Sequence, residues 1–479
     1  MQKLPTVFVW GGVLFLIVSV ICGWILGPFV IRDQIVRMAQ LRNNTFIWDK
    51  WTNPTNEMFL RVYFFNVTNP SDVEAGGIPI FRQAGPFTYE ETRFKENLAY
   101  HEQNDTISYT QPVTYHFRLD LSSGSDKDLL TVLNIPLVGI SARLHTYSSF
   151  IRYMVGTFLT QYEEPLFVSK TVKEMLFDGY YNEMVDELQH LTGENFFPDA
   201  LVGVLVGRNN SHEGLYEVYS GIKDSTRLGE IASFNGHRHL SAWPREPCNM
   251  INGSDGSVLP PLLTKDSVLR GFHHDVCRSF YITFTGEVEY EGVAGYRFEP
   301  PEAQYLGPKK NPDNACFCLE PKEDFSNCFE DGVYSGAGCH RDGPITISNP
   351  HFMYAPFYLN KTKGLMPDKE KHGLFVDLEP SSGLILRAAR RMQINVDLKP
   401  NRAVDGMHNV PSMQFPILWV EETFVLDKEV HSSLLYYLVL AETTLQFGKW
   451  VCLAASLALL VVAITIYVAR ARNKSYIYN

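Results

Sequence analysis

Two long stretches without a charge, one near each end of the chain, constrain its fold more than any other feature. From Leu4 to Ile31 no residue is charged; Lys3 precedes the stretch and Arg32 follows it. Val7 to Val30 is apolar apart from Ser19 and small residues. About 20 such residues cross a ~30 Å hydrocarbon layer as a helix, so residues 7–30 predict a transmembrane helix. Residues 450–469, between Lys449 and Arg470, predict a second. A cleaved signal peptide is the competing reading of the first stretch. Its apolar part exceeds the usual ~7–15 residue core of such peptides, and Gly27-Pro28-Phe29-Val30-Ile31-Arg32 follows in place of a small-residue cleavage site. A mean hydropathy of −0.11 excludes a polytopic transporter.

Positive charge orients the pair. Arg470, Arg472 and Lys474 stand in a tail without acids, which marks residues 470–479 as cytoplasmic. Two spans then return the N-terminal tail, residues 1–6 with Lys3, to the same side. Residues 31–449 become one large loop outside the cytosol. Both tails are net basic, so this loop is more acidic than the −11 of the whole chain. A chain with 42 basic and 53 acidic residues and no basic run is a poor nucleic-acid ligand.

Cysteines and sequons test this topology independently. Cys22 and Cys452 fall in the spans, and Cys248, Cys277, Cys316, Cys318, Cys328 and Cys339 cluster in the loop. An even set in a non-cytosolic segment reads as three disulfides, whose pairing spacing alone leaves open. A zinc site on Cys316, Cys318, Cys328, Cys339 and His340 is the competing reading, disfavoured by its C-x-C spacing and oxidising compartment. Sequons at Asn43, Asn66, Asn104, Asn209, Asn252 and Asn360 all lie in the loop. Asn53 is blocked by Pro54, and Asn473 lies in the cytoplasmic tail.

The loop reads as strand-rich. Met392, Ile394, Val396 and Leu398 alternate with polar residues, as in a half-buried strand, and Ile282 to Tyr290 behaves likewise. Met58 to Val67 is apolar on both faces, as in a central strand. Residues 149–190 differ. Ile151, Val155, Phe158 and Leu159, then Val172, Met175 and Leu176, recur at helical spacing and predict short helices broken near Pro165. Ile31, Ile35 and Met38 extend the first span as a helix, and Ser432–Phe447 leads into the second.

Catalytic motifs are absent: the chain has no G-x-S-x-G, H-E-x-x-H or phosphate-binding loop. His101-Glu102 and His212-Glu213 lack a second histidine. Phe272-His273-His274-Asp275 is the densest ionisable cluster and reads as a hydrogen-bonded loop beside Cys277. Glu163-Glu164 and Glu421-Glu422 read as solvated faces, and Gly253-Ser254-Asp255-Gly256 as turn chemistry. No enzyme, metal or cofactor is expected.

Cys248-Asn249-Met250-Ile251-Asn252-Gly253-Ser254-Asp255-Gly256 resembles the hallmark of the class B scavenger receptor family, which includes the fatty-acid translocase, the high-density-lipoprotein receptor and a lysosomal integral membrane protein. Gln83-Ala84-Gly85-Pro86-Phe87, Val276-Cys277-Arg278-Ser279, Gly295-Tyr296-Arg297-Phe298, Pro350-His351-Phe352-Met353-Tyr354 and Asp377-Leu378-Glu379-Pro380 are similar to other family stretches. The resemblance implies an α+β fold: a large antiparallel β-barrel-like ectodomain with a helical-bundle cap at about 149–190 and a disulfide region at 248–339, anchored by two transmembrane helices. It implies the pairing Cys248–Cys316, Cys277–Cys339 and Cys318–Cys328. It also implies an apolar tunnel from cap to bilayer. Such a conduit has a physical rationale, since each methylene exposed to water costs roughly 0.8 kcal/mol.

The function implied is a cell-surface scavenger receptor that binds lipids, lipoprotein particles or lipid-bearing debris through the cap and passes lipid to the membrane. Its partners would be fatty acids, sterols, phospholipids, lipoprotein particles and the bilayer. Arg152, Phe158, Leu159, Lys170 and Lys173 are the expected docking residues. Gln161-Tyr162-Glu163-Glu164-Pro165 stands where the fatty-acid translocase branch carries lysines, which weakens any attraction to oxidised particles. The alternative is a lysosomal or endosomal receptor that grips a protein partner, such as a hydrolase, at the cap. Against it, the tail lacks a dileucine pair, and Tyr476-Ile477-Tyr478-Asn479 departs from the tyrosine-based sorting pattern.

Overall fold

The computed structural model describes residues 4–144, 147–193, 197–336, 338–339 and 343–475. Lys3, His340 and Tyr476–Asn479 lie outside the described residues, as do the side chains of Arg470, Asn473 and Lys474. The chain divides into two compact units: residues 1–40, 289–293 and 427–479, and residues 41–288 and 294–426.

The first unit is built on two apolar helices. One runs Leu4–Ile21, passes through a wide turn at Cys22–Leu26 and continues as Gly27–Ala39. The wide turn has a local cause. Pro28 has no N–H for the next helical bond, and the Gly27 amide bonds instead to the Cys22 carbonyl, five residues back. The other helix, Lys428–Ser475, is continuous over 48 residues. Val9–Ala39 and Thr443–Ala469 are long and apolar enough to cross a membrane. The helices lie antiparallel, with small residues at their contact: a Cβ on Gly23 would stand 2.7 Å from the Lys449 Cβ, and one on Gly12 3.1 Å from Leu460. The Ser19 and Ser456 hydroxyls meet at 3.1 Å between them.

The second unit holds a 14-stranded antiparallel sheet. Its main path runs Ile231–Phe234, Ser211–Tyr219, Thr106–Phe117, Phe81–Arg93, Glu57–Val67, Met413–Val425, Ile385–Leu398, Phe375–Leu378, Val293–Glu299, Arg278–Tyr290 and Val268–His273. Glu57–Val67 is central, pairing on both sides, which is why it is apolar on both faces. The fold is α+β as expected, but the sheet is not closed into a barrel. The edge strands Ile231–Phe234 and Val268–His273 do not pair with each other. The family hallmark crosses between them as single bridges: the Ile231 amide donates to Gly253 O at 2.8 Å, Ser254 to Arg270 O at 2.9 Å, and Phe272 to Ser254 O at 3.0 Å. Gly253 takes φ +94°, and any Cβ there would collide with the Arg270 carbonyl. The hallmark therefore masks two edges that would otherwise present unpaired backbone groups.

One strand departs from expectation. Ile385–Leu398 exists, but its polar face is not solvated: Gln393 and Asn395 are fully buried. Strand Ile345–Ser348 pairs along its edge, setting Thr346 opposite Asn395 and Ser348 opposite Gln393, and the amides satisfy one another. Gln393 donates to Asn395 at 2.7 Å, Asn395 to Ser348 at 3.1 Å, and Gln393 Oε1 accepts from the His351 amide at 2.7 Å.

The segment expected to be helical contains two helices, Ser149–Leu159 and Glu183–Thr192. The Ser148 hydroxyl caps the first, and Asn182 caps the second through the Val185 amide. Beyond Pro165 the chain forms strand Phe167–Thr171, paired with Leu129–Leu133, before a wide helical turn at Glu174–Asp178 buries Met175 and Leu176.

Candidate functional site

Three disulfides join Cys248–Cys316, Cys277–Cys339 and Cys318–Cys328, with Cα separations of 5.9, 5.5 and 5.6 Å. Their formation consumes the thiols of the competing zinc reading. Trp243 clusters with Cys248 and Cys316, and its indole N–H donates to the Cys277 carbonyl at 2.6 Å. Cys22 and Cys452 are free. Asn43, Asn104, Asn209 and Asn360 are exposed, whereas Asn66 and Asn252 are half-buried.

The expected docking residues do not form one surface. Leu159 is buried in the core and Phe158 packs against it. This corrects the docking role given to both side chains, because the stripe Val155, Phe158, Leu159 is the face that holds helix Ser149–Leu159 to the unit. Lys170 lies over the Tyr180 ring at 4.4 Å, and Lys173 pairs with Asp178 at 2.9 Å. Arg152 is half-buried; it lines a groove of about 620 Å³ between its helix and residues 400–408, with Arg402, Asp405 and His408 on the other wall. The helix approaches that wall closely because residue 156 is glycine; a Cβ would strike the Ala403 carbonyl.

What the helix does expose was missed. Phe150 is 73% and Tyr153 70% accessible, and Met154 and Ile151 are exposed too. The spacing of Phe150, Tyr153, Met154 and Thr157 forms a second stripe opposite the buried one, a signal available in the sequence. Glu164, by contrast, is no free acid: it accepts from Asn134 at 2.8 Å and from Asn182, the cap of helix Glu183–Thr192, at 2.9 Å.

A belt of charge crosses one face of the sheet. Glu91 and Arg93 alternate on one strand, and beyond the intervening Glu57–Val67 Arg390 faces Glu422 across the pair Ile385–Leu398 and Met413–Val425. Arg93 bonds to Glu91 and reaches Glu422 at 3.4 Å; Arg390 bonds to Glu422. The adjacent acid Glu421 points to the other face, where it binds Arg391 at 2.7 Å and Arg61 at 3.1 Å. Glu421-Glu422 is thus neither an acid–base pair nor a solvated face; strand alternation splits it.

Arg390 keeps 35% of its side-chain surface accessible, and Arg93 and Glu422 keep 20% each. Val420 and Met392 flank the Arg390–Glu422 pair on one side in the register, Ala388 and Phe424 on the other, and all four are half-buried. Burial raises the Glu91 pKa; it acts against ionisation of Glu422 as well, but Arg390 and Arg93 outweigh it and hold that group below its ordinary value.

His273, His274 and Asp275 lie beside this belt. Burial, reinforced by the Arg390 charge, pushes His273 well below its ordinary pKa. Its Nδ1 accepts from the Asp275 amide at 3.2 Å, so its proton sits on Nε2, which has no partner among the described residues. His274 is the opposite case. Burial would lower it, but Asp275 at 3.1 Å and Glu213 at 3.0 Å outweigh burial and hold it at about 9. Asp275 also binds Arg208 at 2.8 Å. The three side chains converge closely enough to suggest metal ligation, but a protonated Nε2 on His273 is a donor and not a ligand.

The model of the CD36 family matches residues 10–467. Lysosome membrane protein 2 from Rattus norvegicus is 35% identical over 406 residues, covering 84% of this chain and 82% of its own; that from Homo sapiens is likewise 35% identical over 406 residues. Scavenger receptor class B member 1 from Cricetulus griseus is 29% identical over 452 residues, covering 94% of this chain and 87% of its own.

Proposed function

Since the chain belongs to the CD36 family, a class of membrane receptors, we propose that it is a cell-surface receptor that takes lipid from particles or debris and delivers it to the bilayer. In this reading residues 7–30 and 450–469 cross the membrane, residues 1–6 and 470–479 lie in the cytosol, and residues 31–449 face outside as a glycosylated ectodomain. What supports it is the family match over residues 10–467 together with the exposed apolar stripe of helix Ser149–Leu159, where Phe150 and Tyr153 are mostly accessible.

Docking falls to the helix Ser149–Leu159. Phe150, Tyr153 and Met154 offer an apolar stripe, and Arg152 offers a cation in the neighbouring groove. The chemistry is transfer alone: apolar side chains substitute for the water that hydrocarbon would otherwise meet. Cells expressing the full chain should take up labelled cholesteryl ester or fatty acid above background. A Phe150→Glu/Tyr153→Glu variant should reach the surface and lose most of that uptake. Uptake no greater than in untransfected cells, despite surface expression of the parent chain, refutes the reading.

The identity to lysosome membrane protein 2 favours a second reading, an endolysosomal receptor that binds a protein partner through the same helices. Steady-state staining separates the two: a plasma-membrane signal supports the first, a lysosomal one the second.

A further inference from the structure

Arg278, which follows Cys277 and opens the strand Arg278–Tyr290, is a buried cation without an acid beside it. It is 5% exposed, and the groups that act on its charge are the hydroxyls of Tyr334, Tyr305 and Tyr281, with no carboxylate among them. Its guanidinium lies 3.9 Å from the Phe317 ring centroid and 4.7 Å from that of Tyr334. Nη2 donates to Asn314 Oδ1 at 3.3 Å, while the buried Nε has no partner among the described residues. Burial pushes its pKa down, yet a guanidinium keeps its proton at neutral pH. Contact with aromatic rings returns only part of what it costs to take an ion out of water.

Arg278 lines a cavity of about 30 Å³ together with Gln304, Asn314, Phe317, Tyr334 and the Cys318–Cys328 disulfide. The lining contains no acid, and Arg278 is its one charged side chain. The amides are already committed elsewhere. Gln304 donates to the Tyr281 carbonyl and accepts from the Tyr281 amide at 3.2 Å, and Asn314 Nδ2 donates to the Leu306 carbonyl at 2.7 Å. Volume then limits what can enter. A water needs about 10–15 Å³, so the cavity admits a body of one or two waters' size and excludes a phosphate, a lipid headgroup or a peptide. We propose that this cavity is a halide site, in which the Arg278 guanidinium holds one chloride ion through the N–H groups that Asn314 leaves free. Chloride is compact, carries the opposite charge and asks for no donor beyond the guanidinium. Water fits the volume but brings no charge. A seated ion would draw together the start of the strand at Arg278, residues 304–318 and residues 328–335, which line the cavity from three parts of the disulfide region. Nothing in this site depends on lipid transfer.

The test uses the full chain in phosphatidylcholine nanodiscs at neutral pH, with sodium chloride exchanged for sodium gluconate at constant ionic strength. With about 2.1 cal/mol/K of unfolding entropy per residue over the second unit, each tenfold rise in chloride beyond half-saturation should raise the parent's melting temperature by about 2 °C. Arg278→Met keeps the length of the stem and removes the charge, and its melting temperature should not respond to chloride. Lys322→Met removes an exposed cation from the same disulfide loop and should keep the full response. The chloride NMR line should be broadened by the parent chain, and bromide should reverse the broadening. Equal melting temperatures of the parent in chloride and gluconate, with no line broadening, overturn the proposal and give the cavity to water, whether or not a variant folds. A folded Arg278→Met chain that keeps the response overturns it as well. So does a Lys322→Met chain that loses it, since the effect is then general screening of surface charge.

Discussion

Lowering the pH from 7.5 to 5 should destabilise the second unit through a stacked pair of neutral histidines, and one substitution isolates the effect. His351 and His372 are 6% and 5% exposed, with ring centroids 4.3 Å apart against Trp419. His351 Nε2 bonds Gln83 at 2.7 Å, and its Nδ1 accepts from the Met366 amide at 3.0 Å; His372 Nδ1 accepts from the Asp368 amide at 2.9 Å. These bonds suit neutral rings. Burial, then the charge of the other histidine, takes His351 to about 3. Burial takes His372 to about 4, with Asp368 and Glu421 opposing it and Arg391 and Lys371 assisting. Both folded values lie below the unfolded 6.5, so their stabilisation is full above pH 6.5 and is lost as pH falls toward 4 and 3. At pH 5 the unfolded chain protonates each ring while the folded chain does not. With about 1.36 kcal/mol per pKa unit over the span from 6.5 to 5, each costs about 2 kcal/mol. His372→Asn keeps an acceptor for the Asp368 amide and removes one titration. Melting temperatures of parent and variant, each measured at pH 7.5 and 5, give the answer. With about 2.1 cal/mol/K of unfolding entropy per residue over the unit, the variant's acid-induced drop should be smaller by about 2–3 °C. His273 and His274 titrate in both proteins and cancel in the difference. Equal drops in parent and variant refute the assignment of neutral, buried rings.

Three further outcomes are expected. Removing the Cys248–Cys316 bond, which spans 68 residues, should cost more than removing Cys318–Cys328, which spans 10; loop-closure entropy gives about 4.4 against about 2.7 kcal/mol, checked by chemical denaturation of the two double-serine variants. Gly156→Val should destabilise by about 2 kcal/mol or more by driving its side chain into the Ala403 carbonyl, visible as a lower melting temperature, whereas Gly11→Ala, with no neighbour within 4 Å, should not. Enzymatic deglycosylation should reveal occupancy at the exposed Asn43, Asn104, Asn209 and Asn360, read as deamidated asparagine in peptide mass spectra; a bare ectodomain contradicts the proposed topology.

The legible parts of this protein were those set by local chemistry. The uncharged runs became helices because length and composition suffice for that. Met58–Val67 declared itself central by being apolar on both faces, and the hallmark glycine at 253 declared a backbone position without room for a Cβ. The alternation in 391–398 revealed the strand but misjudged its polar face: Gln393 and Asn395 look solvated until Ile345–Ser348, some fifty residues away, pairs beside them and brings Ser348 to Asn395. Leu159 and Phe158 carried the same ambiguity, since helical spacing shows that a stripe is buried or binds but not which. The outward stripe Phe150, Tyr153, Met154 could have been read and was not.

Amino-acid order by itself determined the two apolar helices, the strand and helix types, the six loop thiols and the resemblance that led to the family, because each depends on residues near one another in the chain or on short motifs. Only the tertiary structure decided that Glu421 and Glu422 part to opposite faces, that Arg93 and Arg390 meet at Glu422, that the sheet stays open with a hallmark segment across its gap, and that two histidines stack against Trp419. Those contacts join residues up to hundreds of positions apart. Pairing register, not proximity in sequence, sets which charges pair and on which face of the sheet they do so.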